Sequence, residues 1–294
     1  MKNIIFIIGP TGCGKSHLAI NLAKDLNCEI INADAFQVYK EVNIGNNKIS
    51  KKEMNGIKHH LLDIISISDH WNIKAFQEVF FNLALNSNKN FIVVGGSNLY
   101  IDCVIKNYNL QNEINAPLPD ISHEEKWNML YKLDEETAKK VDKNNIRRID
   151  HKLKIAISNQ GKTSSVLNNE KVINPFIIKI EINRKDLYCK INTRVESMIN
   201  DGWVDEVRNI LKICNPDSQI FQAIGYNEIK DSILNNSELN IDLIKKKTRN
   251  YAKRQETWCR NKFEIDYIYK NNEYANLLAI TKEFLVKNGN INEN

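Results

Sequence analysis

Gly9-Pro10-Thr11-Gly12-Cys13-Gly14-Lys15-Ser16 is the segment that most constrains this chain. Before it, residues 3–8 are a continuous apolar, β-branched run, the pattern of a strand buried on both faces. After it, Leu18, Leu22 and Leu26 fall on one face of a helix. Strand, glycine-rich turn and helix together make an anion cradle. The glycines let backbone amides turn inward without Cβ clashes. The helix start presents unpaired N–H groups and the positive end of its dipole. Lys15 adds a point charge, and Ser16 can ligate Mg²⁺. Cys13, beside Lys15 and a helix start, has two readings: a thiol of lowered pKa, or, as we favour, a small side chain that fits.

The rest of the first half repeats the alternation. Strands are predicted at 28–33, 91–94 and 176–182, with helical stretches between them, which argues for a parallel α/β sheet. Residues 107–145 carry Pro117, Pro119 and many charges, then a polar helical stretch, and are expected to be a small, mostly helical insertion or lid on a core of 1–106 and 146–294. From 185 onward the pattern is helical, with candidates at 185–211, open to a break at Gly202, and at 242–262; the Asn-rich tail after Lys287 is expected to fray. The 294 residues, 42% hydrophobic and 26% charged, suit a globular chain, and the net charge of +5 is too mild for a protein that coats nucleic acid. No apolar run is long enough to span a bilayer, so no membrane partner is expected. The six cysteines form no Cys-x-x-Cys pair, and no secretory leader is evident, which together fit a reducing cytoplasm.

Asp34 ends the second strand, and in an open α/β sheet the carboxyl ends of strands share one ligand-binding edge. On position alone Asp34 can ligate Mg²⁺, cap the next helix or act as a general base. Gly95-Gly96-Ser97-Asn98 ends the third strand on the same edge, where a tight turn capped by Ser97 is the simpler reading. His59-His60 lacks the spacing of a helical metal pair and is expected to be a solvent-facing loop. Residues 245–262 interleave many Lys and Arg with Tyr251 and Trp258. Such a helix suits phosphate backbones and unpaired bases, although a solvated helix face is the commoner meaning of basic residues.

Taken together, these blocks resemble the tRNA dimethylallyltransferases (tRNA isopentenyltransferases) of bacterial type. The resemblance is carried by GPTGCGKS, NADAFQVY with Asn43-Ile44-Gly45, KHHLLDI, VGGSNLYI, NRKDLYCKINTRVESMINDGWVDEV, QAIGYNEI and TRNYAKRQETWCRN, in that order over residues 4 to 265. It implies a P-loop NTPase-like parallel sheet flanked by helices, with the insertion touching tRNA. It gives Asp34 the general-base role, with Lys15 and Ser97 also catalytic, and places the donor's diphosphate on Gly9 to Ser16 and Arg194. It places tRNA contacts at Asp34, Ala35, Phe36, Gln37 and Ser97, at Arg147, Arg148 and His151, at Gln222, Ala223, Ile224, Gly225, Tyr226 and Asn227, and at Lys253 and Arg254. Cys13, Asn98, His151 and Lys190 depart from the usual family residues, and the segment at 107–130 is shorter.

The implied reaction transfers a dimethylallyl group from dimethylallyl diphosphate to the N6 amine of the adenine just 3′ of the anticodon in a tRNA anticodon stem-loop, with Mg²⁺ as cofactor and the protein a monomer. Two rivals share the cradle. One is a P-loop kinase or ATPase, and the other is a prenyltransferase acting on free adenine nucleotides, which has less need of a basic helix at 245–262. A non-catalytic tRNA-binding module would not need the diphosphate cradle at all.

Overall fold

In the computed structural model, which describes residues 1–110, 117–158, 170–270 and 273–287, the chain divides into two compact units, Met1–Ile105 with Lys171–Asn294, and Lys106–Glu170. The expected fraying after Lys287 lies outside the described residues.

The larger unit is built on a six-stranded sheet in which every pairing is parallel, ordered β3-β2-β4-β1-β5-β6. The strands are β1 (Lys2–Ile8), β2 (Cys28–Asn32), β3 (His59–His60), β4 (Asn90–Val94), β5 (Ile173–Ile180) and β6 (Tyr267–Tyr269). Asn3 to Ile8 in β1 are fully buried, and their side chains divide with a period of two. Ile4, Phe6 and Ile8 join one core cluster, and Ile5 and Ile7 join the other. Burying Asn3 is tolerated because its amide donates to the Phe284 carbonyl (2.8 Å) and its oxygen accepts from Asn174 (2.8 Å).

Helices α1 (Lys15–Asp25) and α11 (Tyr274–Val286) contribute Leu18, Leu22, Leu277 and Leu285 to one cluster. On the other cluster lie α2 (Ile73–Asn86), α3 (Asn98–Ile105), α8 (Trp203–Leu211), α9 (Tyr226–Leu234) and α10 (Ile241–Lys262). Helix α7 (Arg184–Asn200) gives Leu187 and Ile191 to the first and Val195 and Met198 to the second. The stretch at 185–211 does break at Gly202, whose φ of 100° starts α8.

Three expectations change. The strand predicted at 176–182 runs Ile173–Ile180 and includes Pro175. This is possible because β6 covers only Ile178–Ile180, so β5 is still an edge strand where Pro175 lacks its N–H. His59 and His60 are not in a solvent-facing loop. They pair with Ile30 and Ile31 as edge strand β3 and are half-buried, with His60 Nε2 2.6 Å from Glu29 Oε2.

The third change is a boundary. The smaller unit holds α4 (His123–Leu133), α5 (Glu135–Lys140) and α6 (Ile146–Ser158) around Leu130, Ala138, Val141, Ile149, Leu153 and Ala156. Helix α6, which the sequence reading put with the core, belongs here because its apolar face packs on α4. A capping box fixes the start of α4, with the Ser122 hydroxyl accepting from Glu125 N and Glu125 reaching back to Ser122.

Candidate active site

The parallel register levels the carboxyl ends of three strands. Ile7 pairs with Val94 and Asn32 pairs with Val94, so Gly9, Asp34 and Gly95 leave the sheet side by side. The cradle occupies the first exit. Gly14 caps α1 in the left-handed region (φ 94°) and offers no side chain to the helix's first amides. Lys15 is buried, and its ammonium donates to the Gly9 and Pro10 carbonyls, each at 2.9 Å. Ser16 is exposed at the head of the helix. Cys13 is buried in the same apolar cluster as Leu187 and Ile191.

Thr11, at the crest of the loop, is held on both sides. Its N–H donates to Gln255 Oε1 (2.8 Å), and its hydroxyl accepts from Arg194 Nη2 (2.7 Å). Burial lowers the pKa of the Arg194 guanidinium, an effect opposed by Asp34 and Cys13. Its Nε is buried without a partner among the described residues. A cation so placed gains from an anion delivered to it.

Asp34 and Ser97 close the other exits. Asp34 Oδ1 accepts from Phe36 N (2.9 Å) and Gln37 N (3.4 Å), but no helix follows, so these bonds shape a turn and the helix-cap reading does not hold. Its second oxygen is left to face Gly96, where a Cβ would stand 2.9 Å from Oδ2. A side chain at 96 would press on that carboxylate and shift it. Ser97 N donates to Ala33 O and Ser97 Oγ accepts from Ala35 N, each at 3.0 Å, which stitches the ends of β2 and β4 together. The Gly96 carbonyl accepts from Tyr251 OH (2.7 Å) and Gln255 Nε2 (2.8 Å). Burial first, and then the Asp34 carboxylate, raises the pKa of the Tyr251 phenol, so it stays a neutral donor.

These groups open on a cavity of about 260 Å³. Thr11, Asp34, Ser97 and Arg194 line its polar part, and Phe36, Val195, Met198, Trp203, Ala223 and Ile224 its apolar part, with Gln222 and Arg254 also on the wall. Of the segment 222–227, then, Gln222 to Ile224 face the cavity. Tyr226 is fully buried behind the wall, where its hydroxyl donates to Glu206 Oε1 (2.6 Å), so it offers no surface to a polynucleotide. Lys253 is exposed on α10. Arg147, Arg148 and His151 are exposed on α6 of the smaller unit.

The sequence reading missed the parts that hold the wall. Glu206 accepts from the backbone N–H of Asn43 (2.8 Å), Ile44 (2.7 Å) and Gly45 (3.1 Å). It thereby pins the loop after β2 to α8. Trp203 is wedged between Gly45 and Gly225, where an added Cβ would lie 2.0 Å and 1.9 Å from the indole. Gly225 also has φ 88°. Gly225→Ala is expected to destabilise the protein by about 2–4 kcal/mol through overpacking and backbone strain. A fall in the urea midpoint at unchanged slope would show it, and a wild-type midpoint would contradict the packing described.

A parallel α/β sheet with this loop at a strand exit defines a P-loop-type enzyme that acts on a phosphate compound. Residues 37–262 match the family model described as IPP transferase. The chain is 47% identical to a tRNA dimethylallyltransferase of Malacoplasma penetrans over 97% of this chain and 98% of that one. It is 37% identical to one of Oceanobacillus iheyensis over 90% of each. Among solved structures, the full-length tRNA isopentenylpyrophosphate transferase of Bacillus halodurans superposes with TM-score 0.75 at 31% identity, covering 98% of both chains. A eukaryotic dimethylallyltransferase acting on tRNA shares the fold, with TM-score 0.78 at 24% identity over 98% of this chain and 79% of that one. The chain belongs to the IPP transferase family.

Proposed function

We propose that this protein transfers the dimethylallyl group of dimethylallyl diphosphate to N6 of the adenine 3′-adjacent to the anticodon of tRNA. The observation that carries the reading is the shared cavity. A phosphate cradle with Arg194 lies at one part of it, Asp34 and Ser97 lie beside that, and the remaining wall is apolar enough for a five-carbon chain. In the reaction the bond between N6 and the donor's C1 forms as the bond from C1 to the diphosphate oxygen breaks. The N6 lone pair is delocalised into the ring, so a base that takes its proton assists attack. Asp34 is that base. Its Oδ1 is engaged with backbone N–H groups, and Oδ2 receives the proton. The departing diphosphate takes the electron pair, and the loop amides, Lys15 and Arg194 stabilise its charge.

The donor set for Mg²⁺ fits only in part from the protein. Among the described residues no three His, Cys, Asp or Glu converge on a metal, but Ser16 presents an exposed hydroxyl beside the cradle. Mg²⁺ habitually completes its shell with phosphate oxygens and water, so Ser16 with the diphosphate would hold it. When bound it would neutralise leaving-group charge.

The acceptor adenine has to leave its stack to reach Asp34. The basic face of α10 favours a polynucleotide over a free nucleotide, with Lys246, Lys253, Arg254 and Arg260 all exposed. The exposed Arg147, Arg148 and His151 make α6 a second RNA-facing surface. Replacing Lys253 or Arg254 with Ala should weaken tRNA binding regardless of sequence and lower the salt dependence of log K by about 0.7–0.9 per lost contact. Titrations at several salt concentrations read this out, and unchanged slopes would remove α10 from the interface. The function itself is tested by offering labelled dimethylallyl diphosphate with Mg²⁺ and either unmodified tRNA or free AMP, followed by nucleoside analysis. Label in the tRNA adenosine alone is the expected result, and label in AMP alone would favour the free-nucleotide prenyltransferase.

A further inference from the structure

Gln255 sits one residue past the exposed Lys253–Arg254 pair on α10, yet it is only 3% exposed. Both ends of its amide are used, and they are used on two different pieces of the site. Oε1 accepts the Thr11 N–H of the phosphate loop (2.8 Å). Nε2 donates to the Gly96 carbonyl (2.8 Å), in the turn that Asp34 Oδ2 faces and that leads into Ser97. Its backbone is held as well, because Asn98 Nδ2 donates to the Gln255 carbonyl (3.2 Å). Thr11 and Gly96 belong to separate strand exits, and the side chain of Gln255 bonds to both. A rigid planar amide of fixed length sets that separation, and the separation in turn sets where a diphosphate lies relative to the carboxylate.

Resting on the functional reading above, we propose that Gln255 is a positioning residue that holds the leaving-group cradle and the Asp34–Ser97 turn at the spacing the transfer requires. It touches neither substrate. Its contribution appears as geometry, and misplacement of reacting groups by about 1 Å can cost about a hundredfold in rate. A role confined to folding would lower stability and leave turnover of the folded molecules intact.

Glu and Leu at this position separate those roles. Neutral glutamic acid reproduces the pattern, its carbonyl accepting from Thr11 and its hydroxyl donating to Gly96. Ionised, it has no proton to donate and turns a carboxylate towards the Gly96 carbonyl. The position is surrounded by Asp34 and Tyr251 on the Gly96 side, by Arg194 on Thr11, and by Cys259 one turn on, with Glu256, Lys15 and Lys179 acting on Cys259. The experiment is single-turnover transfer to tRNA by the intact protein as wild type, Gln255→Glu and Gln255→Leu, from pH 5.5 to 9. Thermal unfolding is followed at each pH. We expect Gln255→Leu to lose about tenfold to a hundredfold in the saturated single-turnover rate at all pH values, with a smaller change in the donor concentration that half-saturates it. The ratio of Gln255→Glu to wild type should approach one at the acid end and fall as pH rises, while both remain folded. Wild-type single-turnover rates in both folded variants, or losses that track only the unfolded fraction, would overturn the proposal. If the wild type itself makes no prenylated adenosine, the functional reading fails instead.

Discussion

Asp34→Asn is expected to lower the rate of the transfer step by about 10²–10⁴-fold while leaving tRNA and donor affinity nearly unchanged. Asn is the informative replacement because Asp34 has two jobs in this structure. Its Oδ1 accepts from Phe36 N and Gln37 N and so shapes the turn after β2. An Asn oxygen can accept the same two bonds, so the turn survives and only the proton acceptor is lost. Asp34→Ala removes both and should add a stability cost of about 1 kcal/mol, typical of a lost intramolecular hydrogen bond. Rapid-quench transfer assays with saturating tRNA separate the two variants. Near-normal turnover by Asp34→Asn would leave the residue as a turn former and require another base.

Lys15→Ala is expected to depress donor affinity and turnover together, turnover by about 10²–10³-fold, because the ammonium serves bound diphosphate and, more strongly, the charge that develops as it leaves. The structure adds a second consequence. Lys15 Nζ donates to the Gly9 and Pro10 carbonyls, so it also holds the loop's own curvature. Lys15→Arg keeps the charge, but with a planar fork in a buried site shaped for a compact ammonium, and it should not restore the rate. Equilibrium binding of dimethylallyl diphosphate and single-turnover rates on both variants check this. A loss confined to tRNA affinity would contradict the leaving-group assignment.

Much of this site can be read along the chain because it is local. Residues 9–16 carry their own turn, helix start and charge. The parallel strands then oblige Asp34 and Gly95 to emerge beside the loop, without any need to know which residues touch. Gly202 likewise announces its own break. What stayed hidden depends on pairs remote in sequence. Glu206 meets the amides of residues 43–45, Gln255 meets Thr11 and Gly96, and Trp203 meets Gly45 and Gly225. Tyr226 lies within a motif implied to touch RNA and is buried all the same, since the same six-residue block builds both the cavity face and its backing. The edge strands β3 and β6 hold two and three residues, too few for a hydrophobic period to show. Helix α6 has the amphipathic pattern of a core helix, and only its packing on α4 assigns it to the smaller unit.

The central claim is that one cradle holds a departing diphosphate while the neighbouring carboxylate readies an adenine amine. The most direct measurement counts diphosphate released against dimethylallyl groups found on tRNA adenosine in the same reaction, with ATP present as a competitor. The account predicts equal amounts of the two, with ATP left intact. Diphosphate released without prenylated nucleoside, or ATP consumed while the tRNA stays unmodified, would contradict it.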